Sequence, residues 1–113
     1  MKKFIVTYHS PAGAMDEMAK NSTPEQQAAG MKGWMDWAGR LGHKLVDMGA
    51  PLAAALHLTS DGGSKQSQSD ISGYSVIEAE NIDEARKLMD NHPHLAMPTG
   101  TIELHEALPV PGM

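Results

Sequence analysis

The stretch from Ile71 to Ala79 constrains the fold of this chain more than any other segment. Successive side chains of a β-strand project to opposite faces of its sheet. Here both sets contain apolar residues, with Tyr74 and Val76 in one set and Ile77 and Ala79 in the other. We therefore expect a sheet that is covered on both faces, by helices on one side and by the sheet of a second copy on the other.

Three further segments are predicted to be strands. Residues 4–8 are rich in β-branched and aromatic side chains and stop at a Ser-Pro-Ala-Gly turn signal. Residues 52–59 are predicted as the second strand, and residues 101–106 alternate apolar and polar side chains like a half-buried last strand. Residues 60–70 are a polar loop, rich in glycine and serine, which we expect to be mobile.

The first helix is predicted from its capping signals. Thr23 is its N-cap, a proline follows at the first helical position, and Gln26 stands at the capping-box position. An apolar stripe at steps of three and four residues extends this helix as far as Met48, and Gly49 is predicted to end it. The stripe consists of Met31, Trp34, Ala38, Leu41, Leu45 and Met48.

The second helix begins after Asn81, has Glu84 at the capping-box position, and is predicted to run for about ten residues before Pro93. The element order is then β-α-β-β-α-β, the split βαβ arrangement of the α+β class. Right-handed crossovers place both helices on one face of a four-stranded antiparallel sheet, a ferredoxin-like fold. The 113 residues are predicted to form a single domain that pairs as a homodimer through the open sheet face.

Composition restricts the partners of this domain. The net charge is −5 and the nine basic residues are scattered, so we expect no nucleic-acid partner. The chain has no cysteine, which fits a reducing cytoplasm, and its first apolar stretch is too short for a membrane span. No phosphate-binding motif accompanies the glycines at positions 62 and 63, and we predict no cofactor.

The element order and four stretches of sequence resemble the YCII-related family. The stretches are residues 46–52, 73–79, 82–85 and 92–95, and the resemblance covers nearly the whole chain. It implies a dimeric α+β barrel, in which two ferredoxin-like sheets pack face to face and pockets form between sheet and helices. Some members are proposed to use a histidine and an aspartate in a cleft as a catalytic pair. Other members are fused to or encoded with sigma-factor regulators.

The resemblance extends to His94, in a Pro-His-Leu segment, as a site residue. The corresponding early helix, residues 31–37, contains no histidine, so a second histidine is not carried over. A histidine on a loop that borders the sheet acts as a general base or orients a polar ligand. The alternative is that His94 hydrogen bonds to the exposed carbonyls at the end of the second helix.

Three other side chains are candidates for the cleft. Trp34 and Trp37 are neighbours on the first helix and are predicted to wall an apolar ligand pocket. The alternative places Trp34 in the core and Trp37 at its rim or at the dimer contact. Asp47 follows His43 by four residues, the helical spacing of an Asp-oriented histidine, and is a candidate catalytic residue. Solvated surface pairs have the same spacing.

A third hypothesis is a metal-dependent enzyme. His92 and His94 flank a proline, and His9, His57 or His105 would add nitrogen ligands, but no recognised ligand spacing is present and we predict no metal. The predicted function is a small-molecule-binding homodimer with an acid/base step in a cleft. The alternative is a non-enzymatic dimeric interaction or regulatory module linked to sigma-factor signalling.

Overall fold

The computed structural model describes residues 1–11, 13–53 and 55–112. Two short 3-10 turns, Gly42–Lys44 and Pro93–Ala96, connect its helices and strands. In chain order the helices and strands are β1 (Lys2–His9), α1 (Ala14–Asn21), α2 (Pro24–Leu41), β2 (Leu45–Pro51), β3 (Leu56–Leu58), β4 (Ser64–Gln66), β5 (Ile71–Ala79), α3 (Ile82–Leu88) and β6 (Thr101–Ala107).

Four of the strands form one sheet in the order β2-β5-β1-β6, and every neighbouring pair is antiparallel. Helix α2 connects β1 to β2, and α3 connects β5 to β6. The two βαβ units are thereby interleaved, with β1 and β5 in the centre, which is the ferredoxin-like arrangement. The predicted fold class, α+β with a four-stranded antiparallel sheet, is confirmed.

One face of the sheet packs against α2 and α3. The buried core combines side chains of this face with side chains of the two helices and the turn after α3. Its members are Phe4, Val6, Tyr8, Trp37, Leu41, Ile77, Ala79, Ala85 and Met89. On the opposite face, Ile5, Tyr74 and Val76 are half-buried. The two-sided apolar pattern of β5 therefore corresponds to one face that is buried within the chain and one that is only partly covered.

Helix α2 is shorter than predicted. Its capping box forms as expected, because Thr23 and Gln26 exchange hydrogen bonds between side chain and backbone. The helix ends at Leu41, however, and not at Met48, because Gly42 takes a left-handed φ of 57° and its N–H hydrogen bonds to the carbonyl of Ala38. The predicted boundary at Gly49 is wrong.

The predicted second strand is also wrong in position. The strand that joins the sheet is β2, Leu45–Pro51, whose register against β5 shifts twice. Of residues 52–53 and 55–59, which the structure describes, only β3 is a strand, and it pairs with β4 in a separate two-stranded hairpin. Residues 64–66 of the predicted polar loop therefore form the second strand of this β3–β4 hairpin.

Two helices differ from expectation in other ways. Helix α1 has no clear pattern in the sequence, and the structure gives one reason: its N-cap is Gly13, with a φ of 81°, which has no side chain to cap the first turn. Helix α3 begins as predicted, with the Asn81 side chain accepting from the N–H of Glu84. It has seven residues instead of about ten.

The molecule is more extended than its length requires. Its radius of gyration is 15.9 Å, compared with about 13 Å for a compact domain of this size. Both strands of the β3–β4 hairpin are exposed throughout, and Leu56 and Leu58 are each 72% exposed. Within the described ranges, no helix is long and apolar enough to cross a membrane.

Candidate functional site

A cavity of about 220 Å³ lies between the sheet and helix α2. Residues 48–51 of β2 and 72–74 of β5 form two of its walls. Met31 and Trp34 of α2, Tyr8 of β1 and His94 complete the lining. The lining is mostly apolar, and His94 is its only imidazole among the described residues.

Two glycines allow the walls of this cavity to approach each other. Gly49 has a φ of 78°, and a Cβ there would lie 1.7 Å from the carbonyl oxygen of Tyr74. A Cβ on Gly73 would lie 3.2 Å from Cδ2 of Tyr8 and 3.3 Å from the carbonyl oxygen of Ala50. The irregular pairing of β2 with β5 therefore depends on Gly49, and the space in front of Tyr8 depends on Gly73.

The ring of His94 is buried, and its surroundings determine its tautomer. Nε2 lies 2.9 Å from the carbonyl oxygen of His9, which only accepts, so Nε2 carries the hydrogen and donates it. In the neutral ring Nδ1 then holds a lone pair, and no polar group of the described residues hydrogen bonds to it. A Cβ on Gly100 would lie 2.4 Å from the His94 carbonyl oxygen and 3.2 Å from Nε2. Gly100 therefore allows the chain to close over His94.

A chain of four hydrogen bonds links the His94 backbone to strand β2. The N–H of His94 donates to Nδ1 of His92 at 3.0 Å. Nε2 of His92 therefore carries the hydrogen and donates to the Tyr8 hydroxyl at 3.1 Å. That hydroxyl donates to Oγ of Ser75 at 2.7 Å, and Ser75 donates to the carbonyl oxygen of Met48 at 2.6 Å. We call this set the His92–Tyr8–Ser75 chain.

The groups in the His92–Tyr8–Ser75 chain remain uncharged over a wide pH range. The pKa of His92 is lowered to about 3, mainly by burial, with smaller contributions from electrostatic repulsion by His94 and Arg40. Burial raises the pKa of Tyr8 to about 12, although the hydrogen bond with Ser75 opposes this shift. Each hydrogen bond of the chain therefore keeps one direction near neutral pH.

Aromatic rings surround this chain. The Trp34 ring meets Tyr8 edge to face at 5.2 Å between centroids, and it meets His92 in the same way at 4.7 Å. Trp37 is fully buried, its ring centroid lies 4.3 Å from that of His92, and its indole N–H donates to the carbonyl of Leu88 at 2.9 Å. Trp34 thus lines the cavity, whereas Trp37 lies behind it in the core.

Asp47 lies away from the cavity lining. It is exposed on β2, and its Oδ1 accepts from the N–H of Gly49 at 2.9 Å. His43 lies in the turn before β2, so the two residues do not share a helix and the predicted helical pairing is wrong. The structure therefore brings His94 and Trp34 to one cavity and leaves Trp37 and Asp47 outside its lining.

The histidines named for a metal site are dispersed. On the opposite face of β1, the His9 ring bonds to Asp70 at 2.6 Å and to Thr7 at 2.8 Å. The hydrogen bond between His9 and Asp70 lowers the pKa of the Asp70 carboxyl group. His105 bonds to Glu103 at 3.2 Å. Across the described ranges, no group of three or more histidine, aspartate or glutamate side chains is placed to hold a metal ion.

The fold and this cavity define the class of the protein, a ferredoxin-like α+β domain with a small apolar pocket between sheet and helix. No family model and no curated protein matches the chain. Among solved structures it is similar to 5-chloro-2-hydroxyhydroquinone dehydrochlorinase (TftG) from Burkholderia phenoliruptrix AC1100, determined in complex with 2,5-dihydroxybenzoquinone. The TM-score is 0.51 and the identity 19%, over 89% of this chain and 90% of that chain. At this identity the likeness supports the fold alone.

Proposed function

We propose that this protein binds a small molecule, about the size of a single ring, in the cavity and that His94 accepts a proton from it. The cavity volume of about 220 Å³ exceeds the roughly 150 Å³ of an engineered apolar cavity that binds benzene. It is smaller than the roughly 300–1,000 Å³ of sites for drug-sized ligands. A substituted ring therefore matches the available space.

The observation that carries the proposal is the state of the His94 ring. Its Nε2–H is held by the carbonyl of His9, so Nδ1 is the ring atom left to act on a ligand. A general base needs a free lone pair within reach of its ligand, and Nδ1 provides one.

In this proposal Trp34 provides an apolar face for the ligand, and Trp37 supports Trp34 from the core. Asp47 has no role in the cavity of a single chain.

The structure with 2,5-dihydroxybenzoquinone shows that a related fold accommodates a ring-sized ligand in that protein. Together with the four sequence stretches described above, the shared fold also supports membership of the YCII-related family, and the absence of cysteine supports a cytoplasmic location.

The test is a titration of the protein with single-ring compounds, followed by NMR of the two indole N–H resonances. We expect compounds that bind to shift the Trp34 resonance more than that of Trp37. The substitution His94→Gln, which retains an N–H for the carbonyl of His9, should abolish any acid/base turnover while leaving the fold intact. His57→Gln, at an exposed position, is the matched control. The proposal fails if none of the compounds perturbs the cavity.

We also propose a homodimer, since specific apolar surfaces favour it. Ile5 and Val76 lie on the open sheet face, and Leu56 and Leu58 on the exposed β3–β4 hairpin. An isolated two-stranded hairpin is marginally stable in water, so packing against a second copy would stabilise it.

The same surfaces support the second candidate function, a dimeric interaction or regulatory module without chemistry. Its link to sigma-factor signalling rests on the family resemblance.

A further inference from the structure

We infer that the cavity takes an uncharged ligand that donates a hydrogen bond, such as a phenol or an enol, and excludes carboxylates and other anions. The inference rests on the proposed function, because it specifies the chemical class of ligand for the same cavity. Three observations support it. The described lining residues carry no charged side chain, three hydroxyl hydrogens at the site are donated to protein atoms, and Nδ1 of His94 holds a lone pair.

The lining carries no charged side chain among the described residues. Arg40 is the cation whose charge contributes to the low pKa of His92, but it is exposed and donates to the carbonyls of Asp90 and Asn91. An anion that entered the cavity beside the neutral ring of His94 would lose its water without gaining a cationic partner. Burial of an unpaired charge is strongly unfavourable, so neutral ligands are preferred.

Three hydroxyl hydrogens at the site are already donated to protein atoms. Tyr8 donates to Ser75, and Ser75 donates to the carbonyl of Met48. The hydroxyl of Ser72 donates to the carbonyl of Tyr8 at 3.2 Å. Two side-chain donors of lining residues have no acceptor among the described residues: the indole N–H of Trp34 and the hydroxyl of Tyr74, a residue whose side chain lies on the open face of the sheet. A ligand that can only accept hydrogen bonds therefore finds few partners.

Nδ1 of His94 is a side-chain acceptor with no partner among the described residues, and it suits a ligand O–H. In the step we infer, the ligand O–H bond breaks, its proton moves to Nδ1, and the electron pair stays on the ligand oxygen. The products are a phenolate or enolate and an imidazolium, so the pair stays neutral overall. A carboxylate is already ionised near neutral pH and has no proton to transfer. The cavity therefore discriminates by the protonation state of its ligand.

The experiment compares three probes of similar size, phenol, anisole and benzoate, by calorimetry on the wild-type protein near neutral pH. Anisole keeps the ring and the oxygen but lacks the hydrogen. We expect phenol to bind at least about tenfold more tightly than anisole, which is the effect of one lost hydrogen bond of ordinary strength. Benzoate should show no binding at concentrations that saturate phenol. Equal affinities for phenol and anisole, or for phenol and benzoate, would overturn the inference.

A fourth probe, 4-nitrophenol, tests the proton transfer directly, since its ionised form absorbs at longer wavelength than its neutral form. Below the probe's own pKa, we expect the wild-type protein to bind it as the phenolate. His94→Gln should bind it as the neutral phenol, and the control His57→Gln should behave like the wild type. A neutral spectrum on the wild-type protein contradicts the inferred step. If phenol, anisole and 4-nitrophenol all fail to bind, the proposed function fails as well, so the two failures are distinguishable.

Discussion

His92 and His94 are two residues apart and both are buried, yet their rings have different partners. His92 is hydrogen bonded at both ring nitrogens, by the His94 N–H and by Tyr8. His94 is bonded at Nε2 only. The first ring is suited to hold structure and the second to receive a proton. Substitutions at the two positions should therefore have different effects, on stability at His92 and on chemistry at His94.

The low pKa of His92 predicts a specific acid sensitivity. In the unfolded chain this imidazole takes a proton below a pH of about 6.5, whereas in the folded protein its pKa is about 3. The unfolded state therefore binds more protons between these values, and stability falls as the pH is lowered through this window. The contribution is at most about 1.4 kcal/mol per pH unit.

Urea denaturation of His92→Gln over the same pH range should show a smaller slope of unfolding free energy against pH than the wild type. The variant is expected to be less stable at neutral pH, because the buried contacts of the ring are lost. His57→Gln should retain the wild-type slope. Identical slopes for His92→Gln and the wild type would show that His92 is already protonated in the fold or is not buried there.

Tyr8→Phe removes the acceptor of the His92 Nε2–H and leaves that donor buried without a partner. We expect a loss of about 1–3 kcal/mol in the free energy of unfolding, with the ring of residue 8 still in place. The matched control is Tyr74→Phe, at a half-buried position on the open face, with an expected change within about 0.5 kcal/mol. Equal effects of the two substitutions would contradict the hydrogen-bond chain.

Among the elements, α2 and β2 show where sequence patterns succeed and fail. The capping box at Thr23 and the alternation of β5 depend on neighbouring residues, and both were predictable. Leu45 and Met48 continue the helical stripe of α2, yet they belong to a strand, because Gly42 ends the helix. Residues 45–48 form a strand because Gly42, with its positive φ, ends the helix and because the segment pairs with β5. The apolar periodicity of the sequence shows neither cause.

The glycines of these two elements predict opposite responses to the same substitution. Gly49→Ala places a methyl group against the backbone of Tyr74 at a positive φ, and we expect a loss of about 3 kcal/mol or more. Gly39→Ala, in α2 with no atom within 4 Å of the added carbon, should gain up to about 1 kcal/mol. Thermal unfolding of both variants gives the comparison, and a neutral Gly49→Ala would refute the close approach of β2 to β5.

For the whole molecule, the pairing of distant segments decides both the site and the shape. His94 and Trp34 were predicted as site residues, since each is recognisable from its local sequence. Tyr8 and Ser75 were not, and His92 was named only in the metal hypothesis, because their hydrogen bonds join residues 67 and 84 positions apart. No local pattern encodes such contacts. The exposed hairpin is likewise a property of the folded chain, visible in its radius of gyration of 15.9 Å.

The proposed dimer leads to a test at this scale. Val76→Arg introduces a charge at the middle of the open sheet face, which is tolerated in a monomer but would be buried without a partner in the dimer. We expect sedimentation of the wild type as a dimer at micromolar concentrations and of Val76→Arg as a monomer. Gln27→Arg, at an exposed position on α2, should remain dimeric. A wild-type monomer under these conditions would contradict the proposal.

The placement of the two indoles makes the protein its own optical reporter. They are the only tryptophans of the chain, one at the wall of the cavity and the other sealed in the core, with ring centroids 6.0 Å apart. In a Trp37→Phe variant the remaining emission would come from the cavity wall and follow its occupancy. In Trp34→Phe it would follow unfolding of the core. Ligand binding and folding can thus be observed separately without an attached dye.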